Sequence, residues 1–347
     1  MRNIILSTLI VLTGVLFGTP VLALTVSPAK AELTGDPGTT VHGEIELFSE
    51  QEGTRTFFSS FENFEPTGDS GAPHFIGAED GLATWMETSP EVTIESGQHL
   101  LIPFSITIPA DAEPGGYFAA IFFGDQPPGE EGGQVSVGGK IGVLMLLRVS
   151  GEVEEAGGIV SFGTKDNIKL YTTLPVGFEY RINNDGGDRI VPHGDLFIKN
   201  TLRMTSEILP ANKTDGSVLP NSARKFELQW GESENKGEDV AAPSFFDMVS
   251  KEWNDFHFGW YRADLKLTWG DSNQVQQSSV RFFIVPWQLL IVVGSVLLLV
   301  GILGILILRR YNRWIIAAAM RQQQVVAPQP LPPPAPPKRA KRTSKKK

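Results

Sequence analysis

The stretch LIPFSITIPADAEPGGYFAAIFFG, residues 101–124, decides the fold class. From Ile102 to Ile108 every second residue is large and apolar, and the residues between them are mixed. This period of two is typical of a β-strand with one face buried and one face in water. The later run, residues 118–123, is apolar on both faces, which predicts a strand in the middle of a sheet.

The residues between these two strands resemble the tyrosine corner of immunoglobulin-like domains. In that corner a Tyr at the start of a strand donates its hydroxyl hydrogen bond to the backbone. We expect this bond to reach across the sandwich. The residues with this structural role would be Asp111, Gly115, Gly116 and Tyr117.

The pattern of short apolar runs and turns continues through the body of the chain. The chain has 36 Gly and 24 Pro, a composition that favours turns and short strands over long helices. Strands recur at the spacing of β-sandwiches in residues 24–151 and again in residues 152–285. The sequence therefore predicts an all-β body of two tandem immunoglobulin-like β-sandwiches with a boundary near residue 151.

One segment of the body, PSFFDMVSKEWNDFHF (243–258), departs from the strand pattern. Its apolar residues have helical spacing, which predicts a small amphipathic helix. Such a helix either contacts the membrane or a partner, or covers the end of its own sandwich. The sequence favours the second alternative. The residues that carry the spacing are Phe245, Phe246, Val249, Trp253 and Phe256.

The two ends of the chain predict where the protein is located. Residues 1–23 have a basic start, an apolar run and a small residue at Ala23, as in a secretory signal peptide; the alternative is an uncleaved signal anchor. Residues 289–308 are uncharged and cover about 30 Å as a helix, so residues 287–308 are predicted to span a membrane. Arg309 and Arg310 would hold the C-terminus in the cytoplasm, as in a single-pass type I membrane protein of the cell membrane with an extracellular body.

The charge distribution separates the body from the tail. The net charge is −9, yet residues 309–347 contain 11 Lys or Arg and no acidic residue. The Pro-rich and polybasic tail is predicted to be disordered and cytoplasmic. Its last ten residues, KRAKRTSKKK (338–347), are suited to contact anionic lipid head groups. The alternative is a solvated tail whose charge only keeps the C-terminus in the cytoplasm. A nucleic-acid partner is not expected.

Motifs for catalysis, cofactors and metals are not found. There is no Cys, which excludes disulfides, thiol catalysis and Cys-ligated zinc. The five His are scattered, and no nucleotide-binding glycine motif is present. The stretch GDSGAP (68–73) is close to the nucleophile signature of trypsin-like proteases, but too little chain precedes Ser70 for the first barrel and its catalytic His and Asp. We interpret it as a surface turn.

No enzyme, catalytic residue, cofactor or metal site is therefore predicted. The best candidates for a calcium site are three acidic residues in and after one turn, and they are too few to predict one. These residues are Asp185, Asp188 and Asp195.

Several stretches resemble a known family. The first sandwich resembles the DUF916-type domain of WxL-interacting proteins, which are surface proteins of Gram-positive bacteria, in VSPAKAEL (26–33), LATWMETSPEVTIESGQ (82–98) and IPADAEPGGYFAAI (108–121). The second sandwich resembles the usual companion domain in VPHGDLFIKN (191–200) and GWYRADLKLTWG (259–270). The resemblance implies two sandwiches, a membrane span and a short tail. It also implies a first domain associated with peptidoglycan and a second associated with host or surface ligands.

Two functions from different classes follow from these features, beside a third alternative, a signal transducer that uses the basic tail (338–347). The first is a non-enzymatic, membrane-anchored cell-envelope protein whose sandwiches bind cell-wall polymer or a surface protein through strand edges and loops. The second is a membrane-tethered chaperone or assembly factor for secreted surface subunits. A free hydrophobic edge strand in the first sandwich would favour the second function.

Overall fold

The computed structural model describes residues 24–127, 139–231 and 243–325. The chain forms two compact units. The strand unit is described over residues 24–127, 139–231 and 257–285, and the helical unit over residues 243–256 and 286–325. The predicted signal peptide (1–23) and most of the tail (326–347) lie outside the described residues.

Ten strands among the described residues form the first sandwich of the strand unit. One sheet has the order β1-β3-β8-β6, and the other has the order β2-β10-β9-β4-β5 with β7 also paired to β4. All pairs are antiparallel except β2 with β10. The strands are β1 (Leu24–Ser27), β2 (Lys30–Gly35), β3 (Thr40–Ser49), β4 (Arg55–Thr67), β5 (Ala72–Gly77), β6 (Met86–Thr88), β7 (Glu91–Ile94), β8 (His99–Thr107), β9 (Gly115–Gly124) and β10 (Lys140–Val149).

The residues that decided the fold class form strands β8 and β9. Ile102, Phe104 and Ile106 are buried in the core between the two sheets, whereas Leu101 is 60% exposed. The predicted alternation is therefore confirmed. Strand β9 lies between β10 and β4, as the run of apolar residues on both of its faces predicted.

Tyr117 makes the backbone hydrogen bond that is typical of a tyrosine corner, but the bond does not reach across the sandwich as we expected. The hydroxyl of Tyr117 donates to the carbonyl oxygen of Glu113, at 3.0 Å and four residues upstream, so the bond is local and does not cross the sandwich. The carboxylate of Asp111 has no hydrogen-bond or ion-pair partner in the described part of the chain. Gly115 and Gly116 also contact Gly187 in the second sandwich.

Within the described ranges, eight strands form the second sandwich. Its sheets have the orders β11-β13-β16 and β12-β18-β17-β14-β15. Both sheets contribute to one core, with Phe178 and Tyr180 from one sheet and Leu265 and Phe282 from the other. The strands are β11 (Gly157–Thr164), β12 (Leu170–Tyr171), β13 (Val176–Asn184), β14 (His193–Lys199), β15 (Thr205–Pro210), β16 (Ser222–Trp230), β17 (Gly259–Trp269) and β18 (Gln274–Ile284).

The described part of the helical unit consists of two α-helices. Helix α1 (Phe245–Asn254) lies in the segment that the sequence predicted as helical. Helix α2 (Trp287–Val325) is long and apolar enough to cross a membrane over Trp287–Ala318, with a mean hydropathy of 3.1. It continues past the predicted end of the span at Leu308, because the following residues include good helix formers and no Gly or Pro before Val325. The predicted fold class, an all-β body of two immunoglobulin-like sandwiches with a C-terminal helix of membrane-spanning length, is confirmed.

Candidate functional site

The turn that carries the GDSGAP stretch joins β4 to β5. The hydroxyl of Ser70 donates to the carbonyl oxygen of Thr67 at 3.2 Å and accepts from the backbone N–H of Ala72 at 3.2 Å. Within the described ranges no His or carboxylate side chain is hydrogen-bonded to Ser70. Its hydroxyl therefore belongs to its own turn, as the interpretation of this stretch as a turn predicted.

This turn also binds the second sandwich, which the sequence did not predict. The carboxylate of Asp69 pairs with Arg181 at 2.7 Å, and the carbonyl oxygen of Asp69 accepts from the backbone N–H of Lys225 at 2.7 Å. Gly71 has φ +68°, and a Cβ there would lie 2.8 Å from Cδ of Arg224. The small residues of the turn thus allow a close contact between the two sandwiches.

The bond to Asp69 reveals which backbone groups of β16 point outward. Strand β16 is an edge strand paired only with β13. In an antiparallel pair, residues alternate between those that bond to the partner strand and those whose N–H and C=O point away. Since the N–H of Lys225 points away from β13, the backbone groups of Glu227 and Gln229 point away as well. No described backbone group pairs with these two residues, so the edge of β16 is open beyond Lys225.

The open edge lies beside a pocket between the two sheets. The pocket has a volume of about 420 Å³, and its walls come from β15, β16 and the connection between them. Its lining includes Leu209, Ala211, Asn212, Phe226, Leu228 and Gln229. The apolar residues of this lining give the pocket a surface that can receive apolar side chains.

The floor of the pocket is held in place by Tyr180. The ring of Phe226 stacks on that of Tyr180 with centroids 4.9 Å apart, and the Arg224 guanidinium lies 5.3 Å from the Phe226 ring on β16. The Tyr180 hydroxyl donates to the carbonyl oxygen of Ala211 at 3.2 Å. Burial raises the pKa of Tyr180, so this hydroxyl stays protonated and keeps the floor in place at neutral pH.

The outer face of β16 carries compensated charges. Glu227 pairs with Lys165 at 2.9 Å and with Lys225 at 3.0 Å. The hydrogen bond from Lys165, followed by that from Lys225, lowers the pKa of Glu227. These exposed pairs add little stability, but they leave no unpaired side-chain charge at Glu227 to repel an approaching strand.

The neighbouring edge, β15, is less suited to pairing. The N–H of Ala211 donates to the carbonyl oxygen of Gly194 at 2.9 Å. Because backbone groups in an antiparallel pair point alternately toward and away from the partner strand, those of Ile208 and Pro210 point away from β14. Pro210 has no N–H to donate. The β15 hairpin does present apolar side chains, since Leu202 is 75% exposed and Ile208 is 50% exposed. It therefore offers side-chain contacts beside the β16 edge.

Side-chain hydrogen bonds cover part of the opposite side of the second sandwich. Strands β11 and β18 are neighbours there, and the side-chain oxygen of Gln276 accepts from the backbone N–H of Ile159 at 2.7 Å. The side-chain amide of Gln274 donates to the carbonyl oxygen of Glu155 at 3.0 Å. These bonds occupy backbone groups along that side.

The first sandwich has no comparable open edge among its described strands. Strand β2 covers β10 over residues 144–149, and its own edge carries Lys30 paired with Glu32 at 2.6 Å. The other edges are short or contain Pro73. The free hydrophobic edge that would have favoured an assembly factor is therefore not observed in the described part of this sandwich.

A polar contact joins the two sandwiches and fixes their arrangement. Arg148 on β10 pairs with Asp188 at 3.3 Å and with Asp271 at 2.7 Å. The N–H of Gly116 donates to the carbonyl oxygen of Gly187 at 3.0 Å. Gly115 has φ +148°, and a Cβ there would lie 2.8 Å from the carbonyl oxygen of Gly187, so this approach requires glycine.

The connection between the sandwiches is held by Glu155. Its carboxylate accepts from the backbone N–H groups of Asp271 and Ser272 at 2.6 and 3.2 Å. The hydrogen bond from the Ser272 hydroxyl is the largest of the interactions that lower the pKa of Glu155. The carboxylate therefore stays ionised at neutral pH. The connection is therefore fixed to the second sandwich.

The candidate calcium residues do not form a site. Asp188 faces Arg148, Asp185 accepts from the side-chain amide of Asn183, and Asp195 lies on β14. Among the described residues no group of three or more His, Asp or Glu could hold a metal ion. The open edge of β16 with its pocket is thus the candidate site. The sequence predicted a strand there but not its position in the sheet.

Comparisons with known proteins give loose structural likenesses. No protein-family model matches the chain, and no curated protein matches it. Similar solved structures include the class 5 fimbriae chaperone CfaA, which is 11% identical over 75% of this chain and 99% of that chain with a TM-score of 0.35. They also include a chain of the CsuC–CsuE chaperone–tip adhesion subunit pre-assembly complex of Acinetobacter baumannii (10% identical, 76% and 99% covered, TM-score 0.33). A third similar structure is a chain of the Salmonella enterica SafA pilin in complex with the SafB chaperone. It is 9% identical over 77% of this chain and 98% of that chain, with a TM-score of 0.34.

Proposed function

We propose that this chain is a non-enzymatic, membrane-anchored cell-envelope protein that binds an extended segment of another surface protein by strand addition. The observation that carries the proposal is the open edge of β16 at Glu227 and Gln229, beside a pocket that is lined in part by apolar side chains. The body would be extracellular and the tail cytoplasmic, as Arg309 and Arg310 after the span indicate. The sequence resemblance to WxL-interacting proteins supports the same setting.

Strand addition explains why the edge and the pocket lie together. An added strand lies about 4.8 Å from β16, where its backbone can bond to the outward groups of Glu227 and Gln229. Every second side chain of that strand then points toward the core side and can enter the pocket. The expected partner is therefore an extended peptide segment with apolar residues at alternate positions. A cell-wall polymer lacks the regularly spaced backbone N–H and C=O groups that pair with a strand edge. We therefore favour a protein partner.

The direct test is to capture the partner in the cell. We expect a photoreactive residue at Gln229 to form a cross-linked adduct with a protein of the cell surface. The matched control is Lys266, which is also exposed but lies on β17 in the interior of its sheet. Mass spectrometry would identify the captured segment. Equal adducts at both positions, a polymer adduct or no adduct at Gln229 would each contradict the proposal.

An assembly factor for secreted subunits could use the same open edge. The observation that supports it is the same open edge of β16, since an added strand would be covered along one edge only and could be released. In that case the adduct with newly made subunits would disappear as the subunits mature, whereas a stable surface complex would persist. The same cross-linking experiment, followed over time, separates the two functions.

A further inference from the structure

Helix α1 is a well-defined element with its own start signal. The Ser244 hydroxyl accepts from the N–H of Asp247 at 3.3 Å, and the Asp247 carboxylate accepts from the N–H of Ser244 at 2.9 Å. This reciprocal capping box satisfies two backbone donors at the helix start. The helix has ten residues and is about 15 Å long.

One face of α1 is fixed to the first turn of α2. Glu252 is fully buried, and its carboxylate accepts from the backbone N–H of Leu289 at 2.7 Å. The first N–H groups of a helix have no partner inside the helix and favour a negative charge, so this bond caps α2. The rings of Phe245 and Trp287 also meet, with centroids 6.2 Å apart. Helix α1 is therefore positioned where the long apolar helix begins.

Another face of α1 presents two uncovered aromatic side chains. Phe246 is 76% exposed and Trp253 is 67% exposed. They are seven residues apart, which is close to two helical turns, so they lie on the same side of the helix. Asn254 is also exposed but is rotated by about 100° from Trp253. The aromatic face is thus distinct from both the face fixed to α2 and the polar face.

We infer that α1 lies in the membrane interface, with Phe246 and Trp253 inserted at the boundary between lipid head groups and acyl chains. Trp287, where the apolar run of α2 begins, marks the depth at which that helix enters the bilayer. Because α1 is bound to the first turn of α2, its aromatic face lies at this depth. Trp and Phe prefer this region, where large amphipathic or apolar rings are partly wet. This inference does not depend on strand addition at β16.

The charges of α1 indicate which lipid property matters. The helix carries Asp247, Lys251 and the buried Glu252, so it has no cluster of basic residues to attract anionic head groups. Insertion should therefore depend on apolar contact and not on the lipid charge. This distinguishes α1 from the polybasic tail, whose expected lipid contact depends on charge.

The test uses the absence of Cys in the chain, since each introduced Cys is the sole labelling site. Full-length Phe246→Cys, Trp253→Cys and Asn254→Cys would carry a nitroxide in phosphatidylcholine vesicles, with or without phosphatidylglycerol. We expect labels at 246 and 253 to collide several-fold more with lipid-dissolved oxygen than with a water-soluble nickel chelate. The label at 254 should show the opposite preference. Both vesicle types should give the same result.

The result that overturns the inference is equal nickel access at 253, 246 and 254. A second copy of this chain covering the aromatic face would also shield the labels. In that case the shielding would weaken as the protein is diluted in lipid, and neighbouring labels would broaden each other's spectra. Shielding that persists on dilution without broadening supports the membrane interface, and shielding lost on dilution contradicts it.

Discussion

Replacing Gly194 with Ala is expected to destabilise the second sandwich by about 3–5 kcal/mol. Gly194 has φ +141°, a conformation that residues with a side chain rarely adopt. A Cβ there would lie 2.0 Å from the carbonyl oxygen of Lys266 on the neighbouring strand β17. Strands β14 and β17 would have to separate, which disturbs the sheet that carries the β15 hairpin. Thermal unfolding should show a midpoint lower by about 10 °C.

The matched control for this change is Gly163→Ala in the same sandwich. The nearest atom to a Cβ at Gly163 is Oδ1 of Asn167, at 3.8 Å, and its φ lies outside the left-handed region. We expect a change within about 0.5 kcal/mol. If both variants unfold at the same temperature, the described pairing of β14 with β17 is wrong.

Replacing Arg148 with Ala is expected to destabilise the contact between the sandwiches by about 2 kcal/mol. Arg148 faces Asp188, whose side chain is 12% exposed, so its removal leaves a largely buried carboxylate without this partner. Asp188→Asn in the same background should restore most of the stability, because the amide is neutral and can still accept from the N–H of Arg189. Lys165→Ala, which breaks an exposed pair, should change stability by less than about 0.5 kcal/mol.

The Arg148→Ala loss should depend on pH in a defined direction. Burial already raises the pKa of Asp188, and Arg148 opposes that rise. Without Arg148 the folded-state pKa of Asp188 rises further above its unfolded value of about 3.9. A raised carboxyl pKa means that the folded state binds the proton more tightly, so stability falls as pH rises from about 4. Urea unfolding at acidic and neutral pH should show a larger loss at neutral pH; an equal loss would contradict this account.

Local patterns in the sequence predicted the strands, the helices and the long apolar span. The alternation from Ile102 to Ile108 identifies a buried strand face, because side-chain direction in a strand depends only on adjacent residues. The same is true of the apolar spacing in α1. Whether that helix covers its own sandwich or faces outward depends on which side chains are covered. The membrane-interface inference for Phe246 and Trp253 takes the alternative that the sequence did not favour, and the labelling experiment tests it.

Contacts between distant residues could not be predicted from the sequence alone. The GDSGAP stretch was correctly interpreted as a turn, but its partners Arg181 and Lys225 lie far along the chain. Gly115 was assigned to the tyrosine corner, but its close approach to the carbonyl oxygen of Gly187 in the second sandwich also requires glycine. Likewise, the residues of β16 predict a strand, but only the sheet order places it at an edge.

The central claim is that the outward N–H of Gln229 receives an added strand, and Gln229→Pro tests it most directly. Proline removes this donor and places its ring at the edge, while edge strands tolerate proline without loss of pairing on their other side. Gln229→Ala is the matched control, because it removes the side chain and keeps the N–H. Thermal unfolding would verify that both variants remain folded.

The measurement is the affinity of each full-length variant for the segment captured at position 229, prepared as a synthetic peptide. We predict that Gln229→Pro weakens binding by at least about tenfold, and that Gln229→Ala stays within about twofold of the unchanged protein. Equal binding by the Pro and Ala variants would contradict strand addition at β16.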